Sequence, residues 1–320
     1  MQIYKFNHVL KTVLWGGDKL TEFEHLPSTD EPIGESWELS AVPGLESVVK
    51  GGEDDGLTLT ELLQRHGAAL VGEEVYQHYG DHFPLLIKFI DAKRDLSIQV
   101  HPDDTLAQRR HGSLGKTEMW YIIQADEGSK ILTGFKRPMS PEEYERRIAD
   151  GTILDVINVT ESKPGDVFFI PPGQIHAIGA GNLLAEIQQS CDITYRVYDY
   201  NRLDANGKPR ELHTEQAREA LNYNVVDSRV DYAPAPMPGI TSLMSCPKFE
   251  VQRIDFNDGF TLSLPQPHSF VAMMCLEGAT TLHVTDMEPV SLRQGETVLV
   301  PAVVNKVEMT GSAQLLTATI

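Results

Sequence analysis

The sequence predicts a mainly β protein of two strand-rich parts, with a few short helices confined to the first. Three observations carry this. Short apolar runs broken by Gly and Pro turns fill residues 1–50 and recur after residue 239. The spacing Gly-x5-Pro occurs at Gly165–Pro171 and again at Gly295–Pro301, the trace of an internal repeat. Between the copies, the Pro-rich stretch 231–239 reads as a semi-rigid linker. A chain of 320 residues suits two modest domains, here 1–232 and 240–320.

Charge and cysteine usage narrow the function. A net charge of −19 argues against nucleic-acid partners and anionic membrane surfaces. It also repels anionic small molecules, so any anion site must be a local cluster of Lys and Arg. Cys191, Cys246 and Cys275 are odd in number and widely spaced, which reads as buried thiols in a reducing compartment. Neither a signal-peptide pattern nor an apolar run long enough to span a bilayer is present, so a cytoplasmic location is expected.

In chain order, Trp15-Gly16-Gly17-Asp18 marks a turn and Gly34-Glu35-Ser36-Trp37-Glu38-Leu39 a strand, whose purely structural reading puts Trp37 in the core and Glu38 in solvent, the alternative being a strand that lines a cleft. Thr58-Leu59-Thr60-Glu61 fits a capping box, and the helix it starts runs to Gly67. Val75 to Tyr79 is a second short helix. Pro84 to Ile90 is rich in β-branched and aromatic residues, as a buried strand should be. Lys88 inside it needs a partner or a polar pocket. Leu96 to Val100 is a strand stopped at Pro102, Lys116 to Tyr121 another, and Ile131 to Gly134 a third. Ser140-Pro141-Glu142-Glu143 opens a helix ending near Gly151. Strands follow at Val167–Ile170, Leu183–Gln188 and Thr194–Tyr200, and Thr214 is expected to cap a helix over 215–221.

Side chains alternate across a strand, so Gln99 and His101 share one face, as do Lys116, Glu118 and Trp120. Polar groups facing inward on apolar strands are costly unless paired. An apolar strand ending in the Pro171-Pro172-Gly173 turn brings in His176. Gln99, His101, Glu118 and His176 make an N/O donor set without thiolate, suited to Zn, Mn, Fe or Co with room for water or substrate. The alternative is hydrogen bonding inside a barrel.

The series Gly165, Pro171, Gly173, His176 has the spacing of the second cupin motif, and Gln99-x-His101, Glu118 and Gly128 loosely match the first. Lys88-Phe89-Ile90 with Leu96-Ser97-Ile98-Gln99-Val100-His101-Pro102 closely resembles the type I mannose-6-phosphate isomerases. So do Trp15-Gly16-Gly17, Gly34 to Glu38 and the run from Glu186 to Arg196. The resemblance spans Trp15 to about Arg202 and is nearest to the short bacterial branch.

The resemblance implies two cupin jelly-roll barrels, with short helices added to the N-terminal one. It implies a metal-dependent aldose–ketose isomerase interconverting mannose 6-phosphate and fructose 6-phosphate, an enzyme of carbohydrate metabolism. One Zn2+ per chain would be held by Gln99, His101, Glu118 and His176, other divalent metals suiting the same donors. Arg196, Lys116 and Glu186 fall at catalytic positions, and Lys88 and Asp192 at substrate-binding ones. The longer-chain relatives have His just before the equivalent of Lys116, where this chain has Gly115, so no base role transfers there. Val303 and Lys306 stand where the second copy would need Gly and His, so the tail should hold no metal. A metal cupin oxygenase or a non-enzymatic sugar-binding bicupin are the competing readings. The oligomeric state is not legible in the sequence.

Overall fold

The computed structural model describes all residues except 28–30, 204–206, 265 and 267. Among the described residues, strands assemble into three sheets. The first part of the chain forms a barrel of two facing sheets. Its larger sheet has the order 229–230, 167–170, 118–125, 182–189, 85–92, 33–39, 9–17, and its smaller one 195–198, 98–100, 176–178, 130–135, 157–161.

The strand Leu85–Ala92 is buried at every position, which accounts for its near-continuous apolar sequence. Leu85, Ile87 and Phe89 face outward onto a core shared with the tail, while Ile90 and Ala92 face into the barrel with Trp120, Ile122, Phe168 and Leu184. Lys88 and Glu186 lie on that inner face.

The helices sit where their stop and start signals put them. Thr58 and Glu61 close a reciprocal capping box on the helix Leu59–His66, which ends at Gly67. Ser140 caps Pro141–Ala149 by accepting from the Glu143 amide. The helix near residue 75 begins two residues earlier than expected, at Glu73. Thr214 is the first helical residue of Thr214–Ala220, with no side-chain cap, so its expected capping role is a misreading by one position. The helix Asp104–His111 had a signal that went unread, Asp103 accepting from the Leu106 amide.

The tail forms its own sheet around a separate core that includes Ile254, Met273, Leu282, Leu292 and Val307. The chain's first strand, Tyr4–Asn7, joins that distant sheet, pairing with Leu299 and Val298. Leu243, Phe249, Phe270 and Leu316 of the tail pack in one cluster with Leu85, Ile87 and Phe89. Among the described residues no helix is long and apolar enough to cross a membrane. Cys191, Cys246 and Cys275 are free thiols.

Candidate active site

Two rows of side chains, one from each sheet, face each other inside the first barrel. On the larger sheet, register sets Trp120 beside Glu186, Glu186 beside Lys88 and Lys88 beside Trp37. On the smaller sheet, His176 pairs with Gln99 and Gln99 with Arg196. Directly paired antiparallel residues point to the same side, so each row presents one line of polar groups.

His101 and Glu118 complete the centre. His101 follows the strand Ile98–Val100, and its carbonyl accepts from the Gly173 amide at 2.9 Å, which locks the Pro-Gly turn against it. Gly173 has φ +84°, and a Cβ there would lie 2.8 Å from the Ala220 carbonyl, so the turn requires glycine. His176 therefore arrives beside His101.

Each imidazole is oriented by a carbonyl at Nδ1: Ile193 O at 2.9 Å for His101 and Gln174 O at 2.8 Å for His176. The Nδ1 atoms must donate, which leaves both Nε2 atoms as acceptors pointing inward. Those acceptors stand 3.1 Å apart. Glu118 Oε1 lies 3.3 Å from His176 Nε2 and has no hydrogen-bond partner among the described residues. Three lone pairs aimed at one point, all fully buried, suit a cation. Ligands of a tetrahedral metal at ~2.0–2.1 Å lie roughly 3.3 Å from one another, so these residues fit the group. Burial pushes both imidazoles below their ordinary range, His176 to about 3, which keeps them neutral as metal ligation needs.

Lys116 supplies positive charge at the same point. Its Nζ donates to Glu118 Oε2 at 2.6 Å and to His101 Nε2 at 3.1 Å. Burial disfavours this charge, but the carboxylates of Glu118 and Glu186 outweigh it and raise the ammonium above the usual lysine range.

Glu186 is held at both oxygens, by Lys88 Nζ at 3.0 Å and by the Trp120 indole N–H at 2.8 Å. Burial opposes its ionisation, yet Lys88 and Lys116 prevail and bring its carboxyl down to about 2. Lys88 also lies 3.7 Å from Glu35 and 4.8 Å from the centroid of the Trp37 ring. Arg196 donates from Nη1 to Glu211 O at 2.9 Å, while its buried Nε has no partner among the described residues. Its backbone N–H donates to His213 Nδ1 at 3.1 Å.

Of the residues singled out from the sequence, His101, Lys116, Glu118 and His176 converge through direct contacts, and the Lys88–Glu186 pair joins them through Trp120, which donates to Glu186 and sets its ring edge-on to His176 at 5.4 Å. Gln99 and Arg196 join them by register. Asp192 is exposed in the connection between the strands 182–189 and 195–198, next to Ile193, whose carbonyl accepts from His101. Trp120 and Glu35 were missed as site residues. Their signal was alternation, since Trp120 shares a face with Glu118 and Glu35 with Trp37. Glu38, expected to be solvated, is buried at 3% exposure, because its face of the strand packs against the N-terminal segment and not against water.

The chain matches two known sequence families along its length. Residues 3–134 match the phosphomannose isomerase type I catalytic domain, and residues 239–320 the mannose-6-phosphate isomerase cupin domain. A mannose-6-phosphate isomerase of Streptococcus mutans is 36% identical over 307 residues, covering 95% of this chain and 93% of that protein. The crystal structure of the Bacillus subtilis mannose 6-phosphate isomerase superposes with a TM-score of 0.90 at 34% identity, covering 100% of both chains. A more distant mannose 6-phosphate isomerase, bound with zinc and yttrium, shares the fold at a TM-score of 0.78 and 16% identity, covering 100% of this chain and 99% of that one.

Proposed function

Because the chain belongs to the type I phosphomannose isomerases, we propose that its N-terminal cavity interconverts mannose 6-phosphate and fructose 6-phosphate, with Gln99, His101, Glu118 and His176 holding one Zn2+. The observation that carries the reading is the convergence of His101, Glu118 and His176 with the buried Lys116 ammonium at one point. The reaction moves a proton between C2 and C1, and negative charge develops on the sugar oxygens as it leaves. Zn2+, when bound, supplies a Lewis acid for those oxygens.

The chain's own groups hold the charges and the substrate in place for that transfer. Lys116, already ionised and desolvated, places a fixed positive charge beside the reacting carbons, where it costs no reorganisation as charge develops. Glu186 stays a carboxylate, holds Lys88 in place and favours the Lys116 charge, with Trp120 fixing its second oxygen. Arg196 reaches from the opposite sheet and grips oxygens with its planar fork. Lys88 and Asp192 are assigned to substrate binding. Against the net charge of −19, these cations make the local field a sugar phosphate needs.

We place the catalytic unit at 1–232 and a metal-free unit at 240–320. In support, the metal-capable groups among the described residues all lie before residue 177. Three free cysteines support a cytoplasmic setting. The gathering of lysines and an arginine around the donor set favours an anionic sugar over an oxygenase substrate.

The test is formation of fructose 6-phosphate from mannose 6-phosphate by the pure, zinc-loaded chain, with oxygen uptake measured in parallel. Ketose formation without oxygen consumption supports the assignment. Oxygen uptake, or no turnover of mannose 6-phosphate, overturns it.

A further inference from the structure

A second group of metal-type donors lies outside the catalytic cavity, on the far face of the strand Ile33–Leu39. That strand turns Glu35 and Trp37 toward Lys88, and Ser36 and Glu38 the other way. Glu38 and Glu24 are both buried, and the Ser36 hydroxyl oxygen lies 2.6 Å from Glu38 Oε1 and 3.1 Å from Glu24 Oε2. One hydroxyl carries one proton and can serve only one of them. His8 sits between the two carboxylates, Nδ1 at 3.3 Å from Glu38 Oε1 and Nε2 at 3.5 Å from Glu24 Oε2. Glu24 Oε1 is buried with no hydrogen-bond partner among the described residues. Neither carboxylate meets a lysine or arginine among the described ion pairs.

Acceptors thus outnumber donors in a dry site. Two carboxylates this close need positive charge between them in a low dielectric, and a divalent ion supplies more of it than the single imidazole of His8, which touches both. The donor atoms of the three residues lie within 4.8 Å of one another. One ring nitrogen can ligate one ion, and the separation of His8 Nδ1 from Glu38 Oε1, 3.3 Å, matches the roughly 3.3 Å between neighbouring ligands of a tetrahedral metal. The His8 side chain is 27% exposed, which leaves an entry path from solvent.

We propose that His8, Glu24 and Glu38 form a second divalent-cation site, taking Zn2+ or Mn2+ through one imidazole nitrogen and the two carboxylates, with a structural role. Its place in the fold says what it would hold. His8 follows the strand that pairs with the tail's sheet. Glu24 ends the helix Lys19–Phe23, where a Cβ on Gly295 of the tail would come within 2.6 Å of the Glu24 Cα. Glu38 belongs to the larger sheet of the first barrel. A cation bound by all three clamps the N-terminal segment at the junction of the two barrels.

The test compares full-length wild type, His8→Ala and Glu24→Gln, each stripped by chelator, reloaded with Zn2+ or, in parallel, Mn2+ alone, and dialysed before elemental analysis and thermal unfolding. Wild type should retain one equivalent more than either variant. Its midpoint should rise on reloading by at least ~5 °C more than theirs. Glu24 is buried, so its variant can misfold, and the partly exposed His8→Ala is the arbiter. The readout is a difference between chains with identical catalytic residues, so it does not depend on what the catalytic centre binds. Equal metal content in wild type and His8→Ala overturns the site. One equivalent fewer with an unchanged rise in midpoint overturns the structural role.

Discussion

His101 and His176 meet Nε2 to Nε2 at 3.1 Å, each ring turned inward by a backbone carbonyl at Nδ1. Lys116 meets His101 Nε2 and Glu118 Oε2, while His176 Nε2 and Glu118 Oε1 face each other at 3.3 Å with no donor between them, which suits a bound cation. His101→Ala and His176→Ala should each lower bound metal by one equivalent and abolish isomerisation, with the far-ultraviolet dichroism unchanged, since the barrel has its own core. Full metal content in either variant would remove the substituted residue from the ligand set.

Lys116 lies at the donor set, and Arg196 pairs in register with Gln99 on the smaller sheet. Lys116→Ala removes a buried charge and Arg196→Lys keeps the charge but loses the fork. Each should reduce kcat/KM by at least ~100-fold, a little under ~3 kcal/mol of transition-state stabilisation, with metal content unchanged. In Lys116→Ala the loss should fall on kcat, because that interaction strengthens as charge develops. Near wild-type kinetics in Lys116→Ala would reduce the residue to an ion-pair partner of Glu118.

Asp54 gives the acid limb of the stability curve a specific origin. Burial works to raise its carboxyl, but hydrogen bonds from Arg65 at 2.6 Å, Tyr4 at 2.8 Å and His66 at 2.9 Å win and hold it at about 2 against an ordinary 3.8. A depressed folded value contributes stability that is fully present above about pH 4 and is lost as the pH falls toward 2. Asp54→Asn should therefore cost roughly 1–2 kcal/mol near pH 6 and almost nothing near pH 2. Denaturant titrations at the two pH values measure this, and a pH-independent difference would show that the bond network, not the charge, carries the effect.

Ending the chain at residue 239 removes no proposed ligand of the catalytic centre, yet it strips Phe249, Phe270 and Leu316 from a core shared with Leu85 and Phe89 and takes Leu299 and Val298 from their partners Tyr4 and Lys5. The truncated chain should be largely insoluble or aggregated on size exclusion. A soluble monomer with the full-length melting temperature would mean that the first barrel does not need the tail.

How much was legible followed from how local each signal is. The Pro171–Gly173 turn, the capping box at Thr58 and the cap at Ser140 are short-range chemistry, and all stand where a few neighbouring residues put them. The helix Asp104–His111 went unread because it buries only Leu106 and Ala107 and shows little apolar periodicity. Glu38 and Trp37 alternate in the sequence as outer and inner residues would, and both are buried, because a strand covered on both sides leaves no solvated face.

The sequence by itself determined the strand-rich class, the residue types of the donor set and, through the motif spacing from Gly165 to His176, which histidine joins it. Tertiary structure alone decided that Glu186 lies beside both Lys88 and Trp120, that the strand at Tyr4 crosses to the tail's sheet, and that His8 meets Glu24 and Glu38. Those contacts depend on strand register and order. A register is fixed by the whole buried face of a sheet closing at once, and no window of the chain contains that information.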